Sequence, residues 1–375
     1  MRCIDELRAG ELKGKRVLLR SDFNLPLGSD GEVSDVYRLK QGWKSVKYLA
    51  EQGARVIILT HIGRDPKETT APVARAIKNF ATATYVPDLT GAAAQGAVAT
   101  MRDGETILLE NVRSDPRENE NDESFAKELA SLADLYVDDA FAVSHRAHAS
   151  LVGITKFLPS YAGLLMRNEV YELNQARTPS HPSFAILGGA KFETKAPLIK
   201  LLLEKYDHVF IVGALANDVF KARGLTIGVS LISKELPETE VLNHPHFVAP
   251  IDVTVEKPDG QAMVKKPEDV KADERIVDIG PDSVASVAPH VAKAKFILWS
   301  GPTGMYEKGY ISWTHAVAEL LAKSEAQKVI GGGDTIAAIE RSGVPQDKLG
   351  FLSTGGGAML EYLLKGTLPA IEALG

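Results

Sequence analysis

The sequence predicts an α/β protein of two domains, each a parallel sheet flanked by helices. Short apolar runs alternate along the chain with longer stretches of helical period, which is the pattern of strand–helix–strand units. At 375 residues the chain is long for one hydrophobic core and comfortable for two. The runs before residue 150 end in Arg or His, whereas the later runs enter glycine clusters. In an open parallel sheet ligands bind outside the carboxyl ends of the strands, so this asymmetry assigns a small anion to one half and a polyphosphate to the other.

RVLL is the first strand, followed by Arg20, Asp22 and Asn24. In YRLKQGWKSVKYLAEQGA, Leu39, Trp43, Val46 and Leu49 recur at helical spacing and Gly53 closes the helix before the strand RVIILT, with His61 and Arg64 at its end. TILLENV leads to Arg113; a polar loop with an Asn/Asp cluster suited to capping follows, then Phe125, Leu129 and Leu132 on one helical face. LYVDDAFAVS ends in His145, Arg146 and His148. FLPSYAGLLMRNEVYELNQARTPSHPS reads as a linking helix stopped by Pro179 and Pro182. Beyond it lie FAILGGAK, VFIVGALAN, FILWSGPTG, VIGGGDT and FLSTGGGA, with a hairpin in VTVEKPDGQAMVKK turning at Asp259 and Gly260.

Asp22 and Asn24 stand two apart, so in an extended segment both project to one side beyond the first strand. Arg38, Arg64, Arg113 and Arg146 all fall at strand ends or beside them, and a guanidinium fork suits carboxylate and phosphate oxygens. HRAH at 145–148 offers a metal pair only if a third ligand is near; anion binding by Arg146 with supporting imidazoles is preferred. In GGAKFETK, Lys191 and Lys195 are expected on one side of a helix beginning near Thr194, with Pro197 in its first turn. GGGDT exposes backbone N–H groups and places Asp334 to hold a divalent cation accompanying ATP. Neither GxxxxGK[ST] nor a well-placed GxGxxG is present.

Composition narrows the partners. A net charge of -6 without a basic run argues against nucleic acid. No apolar stretch approaches the roughly 18 residues of a membrane span. MRCIDELRAGELKGKR lacks the apolar core of an export signal, and the single Cys3 cannot close an internal disulfide. A cytoplasmic location is expected.

Taken together, SDFNLP, HIGR, ENVR, DDAF, HRAHAS, LGGAK, WSGPTGMYE, GGGDT and STGGGA resemble the phosphoglycerate kinase family in order and spacing, over essentially the entire chain. The resemblance implies two Rossmann-like lobes joined by a hinge helix. Residues 1–165 would bind 3-phosphoglycerate or 1,3-bisphosphoglycerate, 166–358 would hold the hinge helix and bind ATP or ADP with Mg²⁺, and 359–375 would return to the first domain. It implies substrate contacts at Asp22, Asn24, Arg38, His61, Arg64, Arg113 and Arg146, with Arg38 and Lys195 catalytic. Nucleotide contacts fall at Lys191, Lys195, Glu307, Gly332, Gly333, Asp334 and Thr335, with Asp334 on the metal, in a glycolytic enzyme acting as a monomer.

The chain departs from the family's usual pattern at Ser21, at Ser300, at Val212–Leu215 in place of a Gly-Gly-Gly-Met run, and at Ile276 in place of a glycine. The last two add side-chain volume on the adenosine side, from which weaker or less selective base recognition follows, with GTP competing better against ATP. A catalytically silent ligand-binding relative and a kinase of another acid or nucleotide are the competing readings; the intact Arg38, Lys195 and Asp334 count against the first.

Overall fold

The computed structural model describes residues 1–375. The chain forms two compact units, Met1–Tyr171 with Thr367–Gly375, and Glu172–Gly366.

In the first unit the apolar runs become β1 (Arg16–Ser21), β2 (Arg55–Leu59), β3 (Thr84–Tyr85), β4 (Thr106–Leu108), β5 (Leu135–Asp139) and β6 (Ser160–Ala162). They form one parallel sheet of order β3-β4-β2-β1-β5-β6. β1 lies between β2 and β5, with Arg20 opposite Leu59 on one side and Asp138 on the other. Strands covered on both faces need apolar residues throughout, and Val17, Leu18, Leu19, Val56, Ile57 and Ile58 are all fully buried. The helix Tyr37–Glu51 buries Leu39, Val46 and Leu49, and Gly53 follows it at a φ of +78°. Asp122 caps Glu123–Ala130 by accepting from the Phe125 N–H. Leu132, expected on that helix, lies just beyond its end but is buried with it.

The second unit holds β7 (Ser183–Leu187), β8 (His208–Ile211), β9 (Phe247–Val248), β10 (Val253–Glu256), β11 (Ala262–Lys265), β12 (Arg275–Ile279), β13 (Phe296–Ser300), β14 (Gln327–Gly331) and β15 (Phe351–Ser353). Six make a parallel sheet of order β15-β14-β13-β7-β8-β9, and β10–β12 form a separate antiparallel sheet in which β10 and β11 are the expected hairpin. The Gly260 N–H donates to the Lys257 carbonyl at its turn.

The linking helix runs Leu164–Arg177, shorter than the segment read as helical, because residues 160–162 pair with β5 as an edge strand. The division between the units falls inside this helix rather than at 165/166. Residues 359–366 do not return to the first unit. The helix Gly356–Lys365 belongs to the second, where the Tyr362 hydroxyl donates to Asn174 and Arg177 Nε donates to the Leu363 carbonyl. Only Thr367–Gly375 joins the first unit, where Ala370 packs with Ala140, Val143 and Leu151 and its N–H donates to the Ser144 carbonyl. No helix is long and apolar enough to cross a membrane.

Two buried carboxyl groups close β5. Asp139 Oδ1 accepts from the Met166 N–H in the first turn of the linking helix, and Asp138 Oδ1 from the Ala140 N–H, while both Oδ2 atoms lack a partner. Burial pushes Asp138 up to about 7 and Asp139 to about 6. A carboxyl raised in the folded state stabilises the fold while protonated, and that contribution declines as pH rises from the unfolded pKa near 4 through the folded value. Asp138→Asn should therefore flatten the decline in urea midpoint between pH 5 and pH 8; an unchanged slope would show that Asp138 does not titrate in that window.

Candidate active site

The residues that close the first sheet gather around the end of β1. Arg20, the last cation of that strand, is 1% exposed. Its Nε donates to Ser150 Oγ (2.9 Å), its Nη1 to the Ser21 carbonyl (2.6 Å), and its Nη2 lies 3.4 Å from His61 Nδ1. Ser150 Oγ donates in turn to Glu118 Oε1 (2.6 Å), and His148 Nδ1 lies 3.6 Å from the same oxygen. Asp22 Oδ2 pairs with Arg38 Nη1 at 3.3 Å. Burial opposes ionisation of Asp22, but Arg38 foremost, with His61, Arg20 and the Asn24 N–H acting in the same sense, outweighs it and holds the carboxyl below the usual range. Asn24 Oδ1 accepts from the Gly63 N–H (2.9 Å), which pins the HIGR loop beside β1.

Asn111 fixes that loop from the other side. Its Oδ1 accepts from the Ile62 and Arg113 N–H groups and its Nδ2 donates to the Ile62 and Glu68 carbonyls. Arg113 Nη1 donates to the Gly63 carbonyl at 2.6 Å, and Arg64 is exposed on the same loop. Burial, then the fields of Arg20 and Arg146, lower Arg113 to about 10. Burial pushes His61 down to about 3, with Arg20, Arg113 and Arg146 acting in the same sense against Asp22. His61 is therefore neutral at pH 7, and its 3.6 Å approach to Asp22 is a dipolar contact. Like charges crowded in this way repel one another, and an entering anion relieves that repulsion. Arg146 is exposed, and no cluster of three or more metal-ligating side chains forms around HRAH or elsewhere.

In the second unit β7 lies between β8 and β13, and the glycine turns after these strands interlock. The Gly188 N–H donates to the Ser300 carbonyl (2.7 Å) and the Gly213 N–H to the Thr303 carbonyl (3.1 Å). A Cβ on Gly188 would sit 2.5 Å from the Pro302 carbonyl oxygen, so only glycine permits this approach. Gly189, at a φ of +114°, leaves room for Lys195, whose Cε would lie 3.1 Å from any Cβ there. Burial lowers the Lys195 pKa.

The helix carrying Lys195 begins at Phe192, two residues before the expected start, because Lys191 takes a left-handed conformation (φ +64°) and caps it. The two lysines consequently do not share a helical face. Pro197 falls in the second turn, where its missing N–H leaves the Glu193 carbonyl without the usual helical donor.

The turns border a cavity of about 410 Å³ lined by Gly189, Gly213, Ala214, Asn217, Ile276 and Asp278 among others, with Glu307 and Asp334 also on its wall. Ile276 and Ala214 line this cavity, whereas Val212 is fully buried and does not. Asp334 stands in the first turn of Gly333–Glu340 and its Oδ1 accepts from the Tyr306 hydroxyl (3.0 Å). Gly332, at a φ of +100°, and Gly333 form the turn into that helix. Thr335 is fully buried and its Oγ1 accepts from the Gly301 N–H (2.7 Å), so its side chain joins two turns instead of facing the cavity.

The family model described as phosphoglycerate kinase matches residues 5–366. The chain belongs to that family. A phosphoglycerate kinase of Pelotomaculum thermopropionicum is 41% identical over 97% of this chain and 97% of its own length, and one of Pseudothermotoga lettingae is 39% identical over 97% and 96%. Among solved structures, phosphoglycerate kinase from Pyrococcus horikoshii superposes with a TM-score of 0.88 at 29% identity over 100% of this chain and 98% of its own. That from Coxiella burnetii gives 0.82 at 35% identity over 99% and 98%.

As a phosphoglycerate kinase family member the chain is a phosphotransferase acting on a carboxyl group, moving a phosphoryl group reversibly between 1,3-bisphosphoglycerate and ADP to give 3-phosphoglycerate and ATP. The catalytically silent reading has no support from these relatives. Sequence reasoning reads Arg20 as a basic strand end but does not assign it to the site, and Asn111, Glu118 and Tyr306 are the contributors that it missed. Arg20 ends a strand as the other cations do and carried that signal, whereas the other three become visible only through partners distant in the chain.

Proposed function

We propose that the first unit binds phosphoglycerate on the cluster of His61, Arg64, Arg113 and Arg146 and the second binds Mg-ATP or Mg-ADP along its glycine turns. The single observation that carries the reading is the crowding of Arg20, Arg113 and Arg146 close enough to depress Arg113, a concentration of positive charge that a bound phosphate would offset. Asp22 and Asn24 would contact substrate while holding Arg38 and the Gly63 loop. Lys191, Lys195, Glu307, Gly332, Gly333 and Asp334 would meet the nucleotide, Thr335 acting through the turn it braces.

A carboxylate acceptor with an ordinary pKa near 4 is ionised at pH 7, so the reaction needs no general base. What it needs is charge neutralisation at a phosphoryl group in transit. Arg38 would approach from the phosphoglycerate side and Lys195, drawn over Gly189, from the nucleotide side. Asp334 fits Mg²⁺, an oxygen-seeking cation that needs only one or two carboxylates when substrate phosphates complete its shell. Bound there, the metal would supply further neutralisation of the phosphates. Because the reacting atoms must come within about 3.5 Å, we infer closure about the linking helix once both ligands are bound. We also infer a cytoplasmic monomer.

A coupled assay with 3-phosphoglycerate, Mg-ATP and an acyl-phosphate-dependent dehydrogenase tests the reaction. NADH oxidation requiring all three is the expected result; oxidation absent with 3-phosphoglycerate but present with another acid would reassign the acceptor.

A further inference from the structure

Two side chains from different elements meet on the wall of the cavity in the second unit. Asp334 is exposed there, in the first turn of the helix Gly333–Glu340, and the half-buried Tyr306 lines the same wall from the loop after β13. The Tyr306 hydroxyl lies 3.0 Å from Asp334 Oδ1. An ionised carboxylate only accepts, so the hydroxyl is the donor. Two backbone bonds hold the loop on either side of Gly304: the Gly213 N–H donates to the Thr303 carbonyl (3.1 Å), and the Met305 N–H to the Val277 carbonyl of β12 (2.8 Å). Arg341, which ends the helix that Asp334 begins, stands over the Tyr306 ring at 5.9 Å. The ring is therefore held from its backbone and from that helix at once.

Of the two carboxylate oxygens of Asp334, only Oδ1 is engaged within the chain. Resting on the reading that Asp334 holds the Mg²⁺ accompanying the nucleotide, we propose that Tyr306 is a positioning residue for that metal: its hydroxyl occupies Oδ1 and leaves Oδ2 to the cation. An exposed carboxylate at a helix start samples several rotamers, and all but one must be given up when a metal arrives. A donor already in place narrows that choice beforehand. Hydrogen bonds behind a ligating carboxylate set its orientation in this way, and losing one typically lowers metal affinity roughly ten- to hundredfold. Glu307, the other exposed carboxylate on the wall, is held by no such bond, so the arrangement is particular to Asp334.

Titration of Mn²⁺ into the full chain saturated with ADP tests the inference, because Mn²⁺ shares the preference of Mg²⁺ for oxygen ligands and water-proton relaxation reads the metal held on a macromolecule. Tyr306→Phe removes one oxygen atom from a half-buried side chain and leaves the fold intact. The metal affinity of its ADP complex should fall about tenfold, while its affinity for ADP in EDTA, measured by calorimetry, stays within about twofold of the wild type. A merely structural brace between loop and helix would not separate the two readouts. Unchanged metal affinity, or an equal loss of metal-free ADP affinity, overturns the assignment. Asp334→Asn separates the underlying reading: wild-type metal affinity in that variant places the metal elsewhere and overturns both, whereas lost affinity there with none lost in Tyr306→Phe overturns only the role of Tyr306.

Discussion

Arg38→Ala and Lys195→Ala should each lower kcat by about two orders of magnitude, roughly 3 kcal/mol, with far smaller changes in either KM. Each cation would meet the greatest negative charge when the phosphoryl group is between donor and acceptor, so its loss is felt in the transition state more than in either bound ground state. Lys195 is held beside Gly189 with its amine partly desolvated, which strengthens its interaction with an arriving phosphate. For Arg38, truncation also deprives the buried Asp22 of its partner at 3.3 Å, so the circular dichroism of the variant must match the wild type before kinetics are compared. Near-normal turnover in either folded variant would remove that residue from the chemistry.

Glu118→Ala should destabilise the first unit by about 3–5 kcal/mol, the usual cost of breaking a buried ion network from one side. Glu118 is fully buried; its Oε2 accepts from the Ser150 N–H (2.9 Å), its Oε1 from Ser150 Oγ, and Arg20 and His148 face the same carboxyl. Removing it leaves the Arg20 guanidinium buried with its Ser150 contact unsupported. Pairing the change with Arg20→Met should recover part of the loss, because the uncompensated charge goes too. Urea midpoints of the three variants measure this. A single-variant loss under about 1 kcal/mol, or strictly additive effects, would show that water or other groups already solvate Arg20.

The strands of both sheets were legible because doubly covered parallel strands need unbroken apolar runs, as in RVIILT and FILWSGPTG, and the glycine turns were legible because the backbone crowding at Gly188 and Gly213 tolerates no side chain. The short strands Thr84–Tyr85, Ser160–Ala162 and Phe247–Val248 were not, since two or three residues carry no periodicity and, unlike Thr106–Leu108 and Phe351–Ser353, these enter no basic or glycine-rich turn that marks their end. Nor was the start of the helix at Phe192: the pattern that follows is helical in either register, and the left-handed Lys191 is a backbone choice that Lys does not advertise. The cations of the first site could be read one by one. Their network could not, because Arg20, Glu118 and Ser150 meet through sheet register and loop packing across more than a hundred residues.

The assignment of phosphoglycerate to the first unit and nucleotide to the second is tested most directly by steady-state kinetics of Arg64→Ala, with each substrate varied at saturation of the other. Arg64 is exposed on the HIGR loop, so its truncation should leave the fold intact and remove one cation from the anion cluster. The account predicts a KM for 3-phosphoglycerate raised about tenfold or more, with the KM for Mg-ATP unchanged. A rise confined to the KM for Mg-ATP would contradict it.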